Sequence, residues 1–161
     1  MLFKTEYPGL FQAHFDAAES NLQFTEELKF PNSFYRGYLK GKLPHGPGVQ
    51  IWSDGDRYEC QWADGQRNGA GRLIFADGAV YDGNFKDGLK DGRGVHTWPN
   101  GKRYEGEYEN NLFHGNGVFT YPNGDQYDGQ WREGKEHGEG VERKNGKERR
   151  GRWENGKFVD E

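Results

Sequence analysis

The sequence predicts an all-β protein, an elongated single antiparallel sheet of stacked β-hairpins, curved or twisted, with a groove along one face. Three observations point to this fold class, of which the first two are that tyrosines recur every 23 residues and that turn dipeptides recur with the same period. The third is composition, because hydrophobic residues are only 32% of the chain while aromatic residues are 16%. Rings that bury large areas suit a thin sheet better than a globule.

Tyrosine defines position 0 of the repeat at five equal spacings: Tyr35, Tyr58, Tyr81, Tyr104 and Tyr127. Position 2 is glycine in four repeats and Cys60 in the second, and a small residue there is expected to make room for the rings of adjacent repeats. Position 4 is bulky and apolar throughout: Leu39, Trp62, Phe85, Tyr108 and Trp131. Positions 11 and 13 form a G-x-G pair in all five repeats, as expected of a repeat architecture.

The period divides the chain into two parts. Residues 1–34 are predicted to be a degenerate leading repeat or an N-terminal cap, and residues 35–161 are the repeat array. Its units start at 35, 58, 81, 104, 127, with a truncated unit at 149 that places Arg149 in the tyrosine slot and Trp153 at position 4. Within the leading part, the segment from Phe11 to Ser20 is compatible with an eroded strand or with a short helix that covers the sheet edge.

Each repeat contains a turn signal. Asp54-Gly55, Asp77-Gly78, Asn100-Gly101 and Asn123-Gly124 are typical of two-residue hairpin turns, in which both central residues have positive φ. Such a turn at Asn123-Gly124 pairs Thr120 with Tyr127. The aromatic row at position 17 would then face away from positions 0 and 4, and it consists of Trp52, Phe75, Trp98 and Tyr121. The polar, glycine-bearing stretch between positions 5 and 11 is predicted to be a connecting loop, and helix content to be very low.

The pattern Y-x-G-x-W-x-x-G-x-x-x-G-x-G, followed by a D/N-G turn and the next tyrosine, resembles the MORN (membrane occupation and recognition nexus) repeat. Residues 127–140 follow this pattern along their whole length, and the resemblance covers about 35–161. Departures are Leu39 and Lys42, Cys60, Asn111 and the shortened fifth turn. The resemblance implies a curved sheet used as a scaffold or adaptor at cytoskeletal, ciliary or membrane-junction complexes, with binding of peptides or helices and, in some members, of phosphoinositides.

Composition limits the classes of function. The net charge of −4 argues against general nucleic-acid binding, which needs an excess of basic residues. A single cysteine, Cys60, forms no internal disulfide, and the N-terminus leads into no apolar signal-peptide run, so a cytoplasmic location is expected. No catalytic constellation, cofactor motif or metal site is predicted. His45, His114 and His137 all precede a G-x-G pair and are interpreted as loop markers.

Three binding hypotheses follow. The first is a protein partner, bound as a helix or extended peptide along an aromatic row. The candidate residues for this groove are Trp52, Phe75, Trp98, Tyr121, Tyr58, Tyr81, Tyr104, Tyr127, Trp62, Phe85, Tyr108 and Trp131. The alternative is an acidic phospholipid surface, bound by a basic cluster with a local net charge of +5 that comprises Arg143, Lys144, Lys147, Arg149, Arg150 and Arg152. Carbohydrate stacking on exposed rings is the third, and a homodimer through the open sheet ends is a further expectation.

Overall fold

The computed structural model describes residues 21–159, which contain thirteen β-strands and no helix. The strands form one antiparallel sheet whose strand order is the order of the sequence, so the predicted fold class is confirmed. The strands are β1 Gln23–Phe30, β2 Ser33–Lys40, β3 Leu43–Trp52, β4 Arg57–Ala63, β5 Gln66–Ile74, β6 Val80–Lys86, β7 Leu89–Thr97, β8 Arg103–Glu109, β9 Leu112–Thr120, β10 Gln126–Arg132, β11 Lys135–Lys144, β12 Lys147–Glu154 and β13 Lys157–Val159.

The described chain divides into two compact units. The N-terminal unit contains the residues up to Ala76 together with Phe85–Gly88, and its strands β1 to β5 pair in succession. The C-terminal unit contains Asp77–Asn84 and the residues from Leu89 onward, and its strands β7 to β13 pair in succession. Each repeat therefore contributes two strands to the sheet.

The stretch between positions 5 and 11 is a tight hairpin turn, so the prediction of a connecting loop is wrong. In the second repeat Ala63 pairs with Gln66, and the two residues between them, Asp64 and Gly65, have φ values of 48° and 86°. Two successive positive φ angles are the geometry of a type I′ turn, which matches the twist of the flanking strands. The same arrangement recurs at four later sites, which are Asp87-Gly88, Asn110-Asn111, Glu133-Gly134 and, in the truncated repeat, Asn155-Gly156.

The predicted two-residue turns at the D/N-G dipeptides have three residues instead. At Asn123-Gly124 the Gly124 N–H donates to the Tyr121 carbonyl at 3.0 Å, and the Tyr121 N–H donates to the Asp125 carbonyl at 2.8 Å. Gly124 has a φ of 87°, whereas Asn123 is not among the residues with positive φ. Pro122 precedes them, and proline favours the second position of a type I turn, here followed by a left-handed glycine.

The extra residue changes the register. Thr120 pairs with Gln126 and Phe119 pairs with Tyr127, whereas the sequence predicted Thr120 opposite Tyr127. Because side chains alternate between faces, a shift of one residue moves position 17 to the other face of the sheet. The fifth repeat ends in a two-residue turn, with Lys144 paired to Lys147, which explains why its spacing is 22 residues.

The ends of the array are partly described. β1 pairs with β2 and precedes the first full repeat, with Phe30 opposite Ser33. The segment predicted as an eroded strand or a helix, Phe11 to Ser20, lies outside the described residues, and the domain boundary at residue 34 stays a prediction. Within residues 21–159 there is no helix long and apolar enough to cross a membrane.

Candidate binding face

The repeat tyrosines form the buried base of one sheet face, here called the tyrosine face. In four repeats the tyrosine hydroxyl donates a hydrogen bond to the backbone carbonyl three residues further along the chain. The donor and acceptor residues are Tyr35–Tyr38, Tyr81–Asn84, Tyr104–Glu107 and Tyr127–Gln130. Each ring lies over the glycines of positions 2 and 13. A Cβ added at Gly106 would lie 2.7 Å from the Tyr104 hydroxyl, so position 2 is small to make room for the tyrosine of its own repeat rather than for rings of adjacent repeats.

The second repeat departs from this arrangement because Cys60 occupies position 2. A Cβ at Gly71 would lie 2.7 Å from the Cys60 Sγ, whereas in the other repeats the corresponding position faces a tyrosine ring. The thiol therefore takes the space of a tyrosine hydroxyl. Tyr58 is displaced outward and is only half-buried, with its hydroxyl 3.3 Å from an Asp56 carboxylate oxygen.

The position-4 side chains pack against the tyrosines on the same face. Trp131 is 6% exposed, stands edge-on to Tyr104 and Tyr127 at ring distances of 5.6 and 5.2 Å, and donates its indole N–H to the Gly117 carbonyl at 3.0 Å. Trp62 repeats the hydrogen bond with Gly48 at 3.3 Å. Most candidates at positions 0 and 4 are therefore structural, with little surface left for a partner.

The position-17 rings lie on the tyrosine face, so the prediction that they face the opposite way is wrong. In the C-terminal unit Trp98 stacks on His96 at 3.9 Å, and Tyr121 lies 4.8 Å from Phe119, which pairs with Tyr127. Trp98 is half-buried and Tyr121 is 40% exposed. This row is the accessible part of the face.

The N-terminal unit presents the same row beside the displaced tyrosine. Trp52 and Phe75 lie 6.1 and 6.4 Å from Tyr58, and all three rings are half-buried. The Arg67 guanidinium lies 4.9 Å from the centroid of Tyr58, within the range of a cation–π contact.

Sequence reasoning missed position 9, which also lies on the tyrosine face. Its residue covers the tyrosine of its own repeat: Arg67 lies over Tyr58, the Lys90 Nζ lies 4.7 Å from the Tyr81 centroid, and Phe113 stacks on Tyr104 at 3.7 Å. The signal is present in the sequence, since Asp64-Gly65 and Asp87-Gly88 are typical of type I′ turns. Recognising these turns places position 9 in a strand opposite position 4.

The basic cluster of the fifth and truncated repeats is divided between the two faces. The strand pairing places three of these side chains on the same face as Tyr127: Lys144, Lys147 and Arg149. The other three lie on the opposite face, because side chains alternate along a strand: Arg143, Arg150 and Arg152. Ion pairs engage four of the six, in the pairs Arg143–Glu148, Arg149–Glu142, Arg150–Glu148 and Arg152–Glu154. Phospholipid binding stays a prediction. A lipid surface that contacts one face of the sheet would meet only three of the six basic side chains.

The position-10 histidines are each engaged locally. His45 Nδ1 lies 3.4 Å from an Asp64 carboxylate oxygen, and His114 Nδ1 lies 3.3 Å from a Glu109 carboxylate oxygen. In the truncated repeat the Asn155 N–H donates to His137 Nδ1 at 3.5 Å. All three histidines lie in strands, β3, β9 and β11, so their interpretation as loop markers is wrong, and each contacts an adjoining turn from within its strand.

Comparison with known families matches the MORN repeat to five consecutive segments, residues 35–57, 58–80, 81–103, 104–126 and 127–147. No curated protein sequence matches the chain at a significant level. MORN repeats generally mediate protein or membrane interactions, and the proteins that contain them are generally non-catalytic repeat modules. Because the matched segments follow one another without a gap over more than half of the chain and coincide with its hairpin period, the chain belongs to the MORN repeat family.

Proposed function

We propose that this protein is a non-catalytic scaffold or adaptor that binds a helical or extended segment of a partner protein along the tyrosine face. The observation that carries the proposal is a row of exposed or half-buried position-17 rings on a face whose position-4 rings, and four of whose five repeat tyrosines, are buried. A cytoplasmic location is a prediction from cysteine usage and the N-terminal sequence, and a place in a cytoskeletal, ciliary or membrane-junction complex is a prediction from the family resemblance.

The position-17 rings suit protein recognition because they are held before a partner arrives. Trp98 is stacked on His96, and Tyr121 packs against Phe119. Tryptophan and tyrosine dominate the energetics of protein interfaces, and a side chain already fixed by packing loses little conformational entropy on binding. The open side of each ring is then free to contact apolar side chains of a partner.

Binding is tested by affinity capture from native cell extract, followed by measurement of the dissociation constant of each captured protein in purified form. The test variant is Trp98→Ala with Tyr121→Ala. Its matched control is Arg93→Ala with Arg132→Ala, which removes two exposed side chains from the opposite face of the same unit. Circular dichroism and thermal melting establish that all three proteins are folded.

A protein that binds the wild type and the control variant directly, and the ring variant at least about tenfold more weakly, supports the proposal, since one interface ring contributes about 2 kcal/mol or more. A partner that binds the ring variant as tightly as the wild type contradicts it. Light scattering on the same samples tests the predicted dimer through the sheet ends, so that self-association is not mistaken for partner binding.

A further inference from the structure

Position 9 shows which chemistry the tyrosine face accommodates. In the second repeat the Arg67 guanidinium lies over Tyr58 at 4.9 Å and over Phe85 at 5.2 Å. In the third repeat the Lys90 Nζ takes the same place, over Tyr81. The face of an aromatic ring carries partial negative charge and attracts cations. In two repeats, therefore, the position-9 side chain places a cation over the tyrosine of its own repeat.

The fifth repeat has a carboxylate there. Glu136 pairs with Trp131 across the hairpin, and Glu142 pairs with Tyr127. Burial raises the pKa of Glu136, a hydrogen bond from its own backbone N–H lowers it in part, and the neighbouring Glu142 carboxylate raises it further. The pKa of Tyr127 is raised to about 12 by burial and by the charge of Glu136. A carboxylate next to tyrosine rings lacks the attraction that a cation would have at this position.

Among the described residues Glu136 has no ion-pair partner. Arg143 and Lys144 line the same pocket, but within residues 21–159 no lysine, arginine or histidine forms an ion pair with Glu136. Glu142 is paired with Arg149 at 2.9 Å, and Arg143 is paired with Glu148 at 3.1 Å. The pKa of Asp125 is lowered mainly by hydrogen bonds from Asn145 and Asn123. The positive charge of the nearby Lys144 ammonium lowers it further, so Lys144 stabilises the Asp125 carboxylate. The Glu136 carboxylate therefore has a hydrogen bond from its own backbone N–H but no cationic partner in the described chain.

A pocket of about 410 Å³ opens at this place, entirely within the C-terminal unit. Its walls include Tyr121, Tyr127, Glu136 and Glu142, with Arg143 and Lys144 on the side of the turn. Tyr121 is the exposed ring of the position-17 row, so the pocket adjoins the surface proposed for the partner segment. Its size accommodates one long side chain.

We propose that this pocket, named here the fifth-repeat pocket, binds a lysine or arginine side chain of the partner segment, with the cationic group beside Glu136 and the alkyl stem against Tyr121. The inference rests on the proposed function and adds the chemistry of one contact. The partner would supply in the fifth repeat the cation that Arg67 and Lys90 supply within their own repeats.

The test uses the full chain and a small probe, so that it does not depend on finding the partner. Nα-acetyl-arginine methylamide is titrated into isotope-labelled protein, and backbone amide shifts are followed by NMR. The neutral isostere, Nα-acetyl-citrulline methylamide, is titrated in parallel. For arginine we expect saturable shifts confined to residues around the fifth-repeat pocket. For citrulline we expect binding at least about tenfold weaker, because a neutral side chain forms no charge-assisted hydrogen bond with Glu136.

Three variants locate the contact. Glu136→Gln removes the carboxylate charge without changing its shape, and we expect it to weaken arginine binding about tenfold or more. Glu136→Lys places the repeat's own cation at position 9, as in the third repeat, and we expect it to abolish binding while the protein stays folded. The control is Glu139→Gln, because Glu139 is exposed and lies on the opposite face of the sheet from Glu136. We expect this variant to keep wild-type affinity.

The inference is overturned by any one of three results. These are no arginine-induced shifts at the pocket, equal shifts with citrulline, or unchanged arginine affinity in Glu136→Gln. These outcomes are independent of the affinity capture. A partner that needs Trp98 and Tyr121 but is indifferent to Glu136→Gln leaves the scaffold proposal standing without the basic side chain. Probe binding without any captured partner leaves the pocket standing without the scaffold.

Discussion

The ring of Tyr104 lies directly over Gly117, so closely that a Cβ at Gly117 would be 2.6 Å from the Tyr104 Cζ. The ring is fully buried, and its hydroxyl is held by the Glu107 carbonyl at 2.8 Å. It therefore has no room to move away. This contact between position 0 of one strand and position 13 of the next recurs at Tyr35 and Gly48, and it explains why the motif requires glycine in a strand.

Substituting Gly117→Ala should lower the free energy of unfolding by about 2 kcal/mol or more, because the new methyl group overlaps a fixed ring. Urea denaturation measures the change. Combining the substitution with Tyr104→Leu should give a total smaller than the sum of the two single changes, because the smaller side chain relieves the overlap. Strict additivity would show that the ring does not cause the effect.

The turn of the fourth repeat depends on Asn111, whose φ is 70°. Its side-chain oxygen accepts a hydrogen bond from the Lys90 N–H at 2.8 Å, and its own N–H donates to the Lys90 carbonyl at 2.9 Å. We expect Asn111→Ala to destabilise the fold by about 1 to 3 kcal/mol, through backbone strain and the lost side-chain bond.

Substituting Asn111→Gly keeps the backbone geometry and should stay within about 1 kcal/mol of wild type. Asn116→Ala, at an exposed residue without positive φ, is the control and should change stability by less than about 0.5 kcal/mol. Equal effects of the alanine and glycine substitutions at Asn111 would rule out strain as the cause. Chemical denaturation of the four proteins decides this.

Cys60 should be unreactive in the folded protein. It is fully buried, and this burial raises the pKa of its thiol to about 12, so the reactive thiolate is scarce at neutral pH. Mass spectrometry after maleimide treatment should find no label on native protein and complete labelling in denaturant. An added cysteine at the exposed Ala70 serves as the control, and the native Ala70→Cys protein should take up one label. Two labels on the native variant would contradict the assignment of Cys60 as a packing residue.

His96 should make stability depend on pH. Its ring stacks on Trp98, and burial, with the nearby Lys90 ammonium, lowers its pKa to about 4. In the unfolded chain the pKa of histidine is about 6.5. Between about pH 4 and about pH 6.5 the unfolded chain therefore binds more protons than the folded protein. The stabilising effect is therefore complete above about pH 6.5 and is lost as the pH falls towards 4.

The variant His96→Phe carries the residue found at the same position of the next repeat, Phe119. Relative to this variant, the wild type should lose about 1 to 3 kcal/mol of stability between pH 7 and pH 4, at about 1.4 kcal/mol per pKa unit. Urea denaturation across this range measures the difference. Parallel curves for the two proteins would show that His96 is not protonated on unfolding.

The sequence by itself determined the hairpin repeat and its packing rule. Equal spacing of Tyr81, Tyr104 and Tyr127 requires equivalent environments, and glycines at fixed offsets from each tyrosine mark the places where a ring lies on backbone. Both inferences depend on residue type and spacing alone. The strand character of the flanking residues follows for the same reason, since β-branched and aromatic side chains favour a pleated surface.

Only the tertiary structure decided which side chains share a face. The D/N-G turns have three residues, and this one-residue difference moved Trp98 and Tyr121 onto the tyrosine face. Turn length depends on hydrogen bonds between backbone groups, which the dipeptide alone does not specify. The fifth-repeat pocket was hidden for the same reason, because Glu136 meets Tyr121 and Tyr127 only once register and turn type place three strands side by side.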